Sequence, residues 1–238
     1  GLMWRNQRYA LEVNPLAIGD YINSNKFSTN VFHNYIANKN FSLKTRLSYF
    51  RNYWKNFFYD NITGSTANRY GFEVQGDYQF SDENVLIFGT EESWDHVDSE
   101  LVGLHDQYTI SGYFQNERKL ITNVIFTLGL RYDYQHVDIG FADSEWSPKI
   151  GLVWHAQSDL TFRASSGKGF RAASMSERFS DSIYSGLRII PNPELKSETA
   201  WSNEIGFNYN PLPFLFLDVA GFVSNYWDLI EPEPDETQ

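Results

Sequence analysis

The chain has 238 residues, and 30 Asp and Glu against 19 Lys and Arg give it a net charge of −11. This acidic balance argues against binding to a nucleic-acid backbone, which relies on clustered basic side chains. Cysteine is absent, which excludes disulfide scaffolds, cysteine nucleophiles and thiolate metal sites. No apolar stretch approaches the roughly 18 residues of a membrane-spanning helix, and GLMWRNQRYA at the start has no signal-peptide pattern. A membrane-spanning β-barrel is compatible with these limits.

Alternation of apolar and polar residues with a period of two is the strongest pattern in the chain. It is present in FSLKTRLSY (41–49), RYGFEVQGDYQF (69–80), NVIFTLGLRYDYQ (123–135) and LTFRASS (160–166). A period of two predicts β-strands with one apolar and one polar face. Several of these stretches reach the ~9–11 residues that a tilted strand needs to cross a bilayer. Helical patterning is weak throughout, so no capped amphipathic helix is expected.

The connections between these stretches alternate between two kinds. Short polar turns are predicted near 38–40, 81–84, 117–119, 157–159 and 210–213, and longer irregular segments near 15–26, 56–67, 96–105, 137–145 and 172–197. Tight turns at one end and longer loops at the other are typical of outer-membrane barrels. Counting between connections gives about eleven strands, of which the one near Phe214 to Phe222 is the least certain. The polar face is then expected to line the lumen and the apolar face to contact lipid, with aromatic side chains near the strand ends as a girdle.

The segment GKGFRAASMSERF (167–179), followed by PNPELKSET (191–199) and NEIGFNY (203–209), resembles the barrel signature of TonB-dependent outer-membrane receptors. That family has Gly-Phe-Arg-Ala-Pro-Ser, Glu-Arg-Phe, Asn-Pro-Asp-Leu-Lys-Pro-Glu and Glu-x-Gly in this order. The chain departs from the pattern at Ala173 and Ser197, where the family has Pro, and at Glu194 for Asp. The resemblance extends from about Leu120 to Ile230, and more loosely back to Phe27.

Twelve residues carry this motif: Gly169, Phe170, Arg171, Glu177, Arg178, Asn192, Pro193, Leu195, Lys196, Glu198, Glu204 and Gly206. The glycines at 167 and 169 are expected where a strand ends close to other elements. The charged residues Arg171, Glu177, Arg178, Lys196 and Glu198 are interpreted as partners that pair across the barrel rim. Contact with the cargo and simple solvation remain open alternatives for them.

The resemblance implies a 22-stranded barrel closed by an N-terminal plug domain. No plug, TonB-contacting segment or final strand ending in an aromatic residue is found, so residues 1–238 are expected to be part of the barrel of a larger receptor. Such receptors lie in the bacterial outer membrane and take up a scarce ligand with energy from the TonB complex. A ferric siderophore is the leading cargo, with haem or cobalamin as alternatives; no cofactor, no resident metal and no catalysis are expected.

Which residues bind the cargo is not determined by the sequence. Bulky aromatic residues of the predicted loops are candidates for stacking on a planar ligand, although interfacial anchoring is the favoured role for most of them: Tyr21, Phe57, Phe58, Tyr59, Trp94, Phe141, Trp146 and Tyr184. Two other functions stay open, namely a passive porin-type barrel and a soluble all-β module that binds glycans. A glycosidase is disfavoured because Glu73 and Asp77, four residues apart on one strand, are separated by about 13 Å.

Overall fold

The computed structural model describes residues 2–10, 21–58, 61–184 and 187–231. Their strands are β1 (Leu2–Ala10), β2 (Tyr21–Asn38), β3 (Phe41–Phe58), β4 (Asn61–Ser81), β5 (Asn84–Ser99), β6 (Gly103–Ile121), β7 (Val124–Val137), β8 (Ala142–His155), β9 (Leu160–Arg171), β10 (Ser182–Tyr184), β11 (Leu187–Ile189), β12 (Glu198–Leu212) and β13 (Leu215–Trp227). One helix, α1 (Met175–Phe179), lies between β9 and β10. No helix of the described ranges is long and apolar enough to cross a membrane.

Eleven of these strands form one antiparallel sheet in the order β1 to β9, then β12 and β13. Each strand of this sheet pairs with the next one along the chain, except that β9 pairs with β12. The short hairpin β10–β11 lies between them in the sequence and forms a separate two-stranded sheet. This meander is the order that an up-and-down barrel requires. The predictions of an all-β fold and of about eleven strands are confirmed.

The sheet has one apolar and one polar face, and its described side chains do not form a hydrophobic core. In the part of the chain that the structure describes, the buried apolar residues are Val137, Ala173 and Phe179. Large apolar side chains such as Ile150 and Phe72 are exposed instead. A soluble sandwich buries its apolar face against a second layer, whereas a transmembrane wall turns that face to lipid. The distribution therefore favours a wall in a membrane over the soluble module.

Aromatic side chains on the apolar face form two belts. Trp146 and Trp154 lie eight residues apart on β8 with Pro148, Ile150 and Leu152 between them on the same face. At about 3.3 Å per residue this spacing is roughly 26 Å along the strand, or about 20 Å along the membrane normal at a 40° tilt. The apolar band of outer-membrane barrels is of similar height, about 25 Å.

Aromatic ring contacts extend the two belts to other strands of the sheet. In the belt nearer to α1, Tyr70 is stacked on Trp94 with ring centroids 5.3 Å apart. In the other belt Trp154 is stacked on Phe162 at 5.5 Å. The two belts mark the levels at which the wall would pass from lipid to water.

Several predicted connections were wrong. The segments 56–67, 96–105 and 137–145 are not long irregular loops, because β3, β4, β5, β6 and β8 continue through most of them and the described turns are short. The residues at 15–20 lie outside the described residues, and 21–26 belong to β2. The turn predicted at 117–119 lies at 122–123, because β6 runs on to Ile121. These segments are rich in polar residues and were therefore predicted as loops. A strand that extends beyond the aromatic belt has water on both faces, so it does not need an apolar face.

The expectation of no capped amphipathic helix did not anticipate α1, a capped helix of five residues. Ser174 caps α1, and a capping box joins its side chain to the Glu177 backbone while the Glu177 side chain accepts from the Ser174 backbone. Ser-x-x-Glu is the sequence signal for this arrangement, and it was present in SMSE. The least certain strand does form as β13, with Asp218 opposite Asn208.

Candidate functional site

The polar face of the sheet carries a row of ion pairs, several of which join different strands. Arg46 on β3 lies 2.9 Å from Glu73 on β4 and 3.7 Å from Glu91 on β5. Arg131 on β7 reaches across to the same Glu91 at 3.2 Å and also binds Asp133 at 2.8 Å. Each of these acids has a basic partner, so this part of the polar face is polar without being strongly charged.

Arg163 on β9 contacts two further strands on this face, β12 and β13. Its guanidinium donates to Glu204 and Asn208 on β12, at 3.1 and 2.9 Å, and to Asp218 on β13 at 2.7 Å. The path across β12 passes over Gly206, where an added Cβ would lie 3.1 Å from Arg163 Cζ and 2.7 Å from the Val219 carbonyl oxygen. The motif residues Glu204 and Gly206 thus share one task, because the acid binds Arg163 and the glycine leaves room for it.

Arg171, at the end of β9, joins α1 to the start of β12. It binds Glu198 with two hydrogen bonds of 2.6 and 3.1 Å and Glu177 with one of 2.9 Å. Glu198 also accepts the Ile230 N–H at 3.1 Å. The Arg171 hydrogen bond, aided by the Ser174 N–H and hydroxyl, lowers the pKa of Glu177 to about 2, so Glu177 is ionised at any physiological pH.

Arg178 is fully buried, with 0% of its surface exposed. Its guanidinium donates to the carbonyls of Ala173 and Pro193, at 3.4 and 3.1 Å, and to Gln135 Oε1 at 3.4 Å. It also lies 4.6 Å from the ring centroid of Phe141. Burial lowers the pKa of Arg178, while Asp143 and Glu177 oppose that shift. The residue anchors its segment through neutral acceptors and not through an ion pair.

The other motif residues have lesser contacts. Asn192 accepts the Leu195 N–H at 3.2 Å in a turn, and Lys196 is exposed. Phe170 pairs with Thr199 in the β9–β12 ladder. The expected close approach occurs at Gly167, where a Cβ would lie 3.2 Å from Lys149 Cβ, but it is absent at Gly169, which has open space around it.

The aromatic candidates for ligand stacking are dispersed. Trp94 and Trp146 belong to the belt nearer to α1, where the Trp146 and Tyr132 ring centroids are 4.6 Å apart. The Phe141 ring lies against the Arg178 guanidinium. Tyr21 begins β2. Tyr59 lies outside the described residues, as do the side chains of Phe57, Phe58 and Tyr184.

Three contributors to this region were not found from the sequence. Asp143 accepts the Ser197 N–H and hydroxyl at 2.9 and 2.6 Å, and the His105 ring is stacked on Phe179 with centroids 3.6 Å apart. Arg163 is the third. All three act through contacts between residues distant in the chain, and no local pattern signals such contacts. No group of three or more His, Asp or Glu side chains in the described ranges is arranged to hold a metal ion.

An apolar outer face bounded by aromatic belts, a polar ion-paired inner face and a meander of long tilted strands define the wall of an outer-membrane β-barrel. Residues 4–238 match the family model described as "TonB dependent receptor-like, beta-barrel". The chain therefore belongs to the TonB-dependent receptors, as the motif resemblance indicated. Barrels of this family lie in the bacterial outer membrane, which confirms the predicted location.

Curated relatives share part of the chain. The hemin receptor of Yersinia enterocolitica is 33% identical over 135 residues, which is 50% of this chain and 19% of that protein. The heme/hemopexin utilization protein C of Haemophilus influenzae is 34% identical over 86 residues, which is 32% of this chain and 12% of that protein. This chain thus matches less than a quarter of the length of these relatives.

Solved structures agree on the fold. The siderophore receptor PirA from Pseudomonas aeruginosa superimposes with a TM-score of 0.76 at 17% identity, over 87% of this chain and 40% of that one. The FrpB iron transporter from Neisseria meningitidis, in its apoprotein form, gives a TM-score of 0.75 at 15% identity, over 94% and 41%. At such identities the likeness shows the fold alone. An open wall of eleven strands is consistent with part of a 22-stranded barrel.

Proposed function

We propose that residues 1–238 are one part of the barrel of a receptor that takes up an iron chelate across the outer membrane. The observation that carries the proposal is the match of the family model to nearly the whole chain, together with the haem, an iron chelate, that is named for two of its relatives. By family membership, the energy would come from the TonB complex acting on a plug domain in another part of the protein. No covalent chemistry is needed for such transport.

The ion-paired polar face supports this role. A lumen that holds a plug and passes a polar chelate needs a hydrated wall with little net charge, because unpaired charges would retain an ionic cargo. The pairs of Arg46, Arg131 and Arg163 with nearby acids reduce the negative charge of this wall. The passive porin alternative is disfavoured by membership of a receptor family. Haem and a ferric siderophore remain the two candidate cargoes, and the relatives matched by sequence favour haem.

A growth assay tests the proposal. The full-length protein is expressed in a bacterium that lacks its own iron-chelate receptors, with haem, a ferric catecholate, a ferric hydroxamate or cobalamin supplied one at a time. We expect growth on one iron chelate, loss of that growth when TonB is deleted, and no cobalamin uptake. Growth on every compound regardless of TonB would indicate a passive pore. Failure to bind or take up any iron chelate would refute the proposed function.

A further inference from the structure

The sheet is split between β8 and β9 on the side of α1. The β8–β9 ladder runs from the pair His155–Thr161 to the pair Lys149–Gly167 and stops there. The β7–β8 ladder continues to Ala142 and the β9–β12 ladder to Arg171. Residues 142–148 of β8 therefore have no strand partner on the β9 side. Pro148, where the pairing stops, has no N–H to donate to a ladder.

Side chains and a returning segment fill this split. Lys168 on β9 binds Glu145 on β8, with Nζ 2.6 Å from Oε2. Ser197, just before β12, donates its N–H and its hydroxyl to Asp143 on β8 and is itself buried. The residues that precede β12 (191–197, the second limb) are thus held against the unpaired edge of β8, and those that follow β9 (172–180, the first limb) contact β6 and β7.

Arg178 joins both limbs to the wall. Its acceptors are Ala173 of the first limb, Pro193 of the second limb and Gln135 of β7. Phe179 beside it is buried on His105 of β6, and Ala173 is 1% exposed. Lifting both limbs away would break the hydrogen bond from Arg178 to Gln135 and expose the buried ring. It would also break the two hydrogen bonds that Ser197 donates to β8, which is costly when the freed groups are left unsatisfied.

We propose that the two limbs are a fixed part of the barrel wall that seals the split between β8 and β9, and not a lid that opens to admit cargo. Arg178 is the positioning residue of this seal, and Asp143 is its second attachment. A lid is drawn from the least stable parts of a structure, whereas the limbs contain the largest fully buried side chain of the described residues. The statement that the limbs are not a lid for cargo rests on the proposed uptake function. The statement that they seal the split does not depend on that function.

Cysteine labelling in the full-length receptor tests the seal, because the chain has no cysteine of its own. Ala173→Cys reports on the buried contact and Ser176→Cys, on the exposed side of α1, is the reference for free access. We expect Ala173→Cys to react with a maleimide far more slowly than Ser176→Cys. Adding Arg178→Ala should raise its rate at least about tenfold. Arg178→Lys should also raise it, since one ammonium cannot reach three acceptors.

Lys196→Ala is the matched control, since this exposed motif residue lies on the second limb and should leave the labelling rate unchanged. If Arg178→Ala prevents assembly of the barrel, Asp143→Ala serves in its place. Equal rates at residues 173 and 176 in the unaltered receptor, or no increase on losing Arg178 or Asp143, would overturn the seal.

A covalent link between the second limb and β8 distinguishes a fixed wall from a movable lid. Asp143→Cys with Ser197→Cys places a thiol pair where the native side chains meet, and a disulfide or a short bis-thiosulfonate linker joins them. We expect the linked receptor to take up its iron chelate within about twofold of its reduced form. Loss of uptake on linking, with recovery on reduction, would show that the limbs move and would refute the proposal. If the unaltered receptor takes up no iron chelate, the proposed function fails and the labelling rates alone decide the seal.

Discussion

Replacing Gly206 by alanine tests whether the crossing of Arg163 over β12 is sterically demanding. The new Cβ would lie 2.7 Å from the Val219 carbonyl oxygen and 3.1 Å from both Ala220 Cβ and Arg163 Cζ. Ordinary contacts of a Cβ begin near 3.4 Å, so β13 must shift by about half an ångström or more and the guanidinium must leave its position. Backbone cannot move aside as a flexible side chain can.

Overpacking of this kind costs about 1–3 kcal/mol, which is roughly a 5- to 150-fold change in the unfolding equilibrium. The measurement is the midpoint of urea unfolding of the full-length receptor in detergent or lipid, followed by tryptophan fluorescence. Gly221→Ala on β13 is the matched control, because nothing lies within 4 Å of its added Cβ, and it should be neutral or slightly stabilising. If Gly206→Ala and Gly221→Ala have the same stability, the close crossing of Arg163 is not a constraint on this position.

Two further predictions concern the rim and the lipid face. Glu177→Gln should destabilise the receptor by about 1 kcal/mol near pH 7, after allowance for solvent screening. Because the pKa of Glu177 is lowered to about 2, the difference should be complete above the ordinary value near 4.5 and vanish as the pH falls toward 2. Urea unfolding of both proteins across this range measures it, and a pH-independent difference would contradict the Arg171 pairing. Ile150→Arg, at the middle of the apolar band, should cost about 2–4 kcal/mol in lipid, whereas Ser165→Arg on the polar face should cost little; equal effects would mean that the faces are assigned wrongly.

The fold could be predicted from the sequence because two signals are local. Alternation such as that of Tyr70 and Phe72 against Glu73 and Gln75 assigns the faces of a strand without knowledge of its neighbours. The motif from Phe170 to Gly206 then gave the family. The ends of the strands outside the membrane were mistaken for loops, since water on both faces removes the apolar pattern.

The arrangement around the motif could not be predicted in the same way. Nothing near Arg178 in the sequence indicates that its guanidinium meets Gln135, which is 43 residues away, or that Ser197 meets Asp143. These contacts depend on the sheet register and on the place where the β8–β9 ladder stops. Helix α1, in contrast, had a local signal in its capping box and could have been predicted.

The ion pairs on the polar face have a consequence for how the barrel assembles. A shift of one residue in the register of two strands turns apolar side chains to the polar face and polar ones to lipid, which is energetically unfavourable. A slip of two residues keeps every side chain on its proper face, so the apolar pattern cannot oppose it. It would, however, place Arg46 opposite Gly71 or Gln75 and not opposite Glu73. In a wall without a packed core, such charge pairs would let the growing sheet distinguish the native alignment from its nearest competitor.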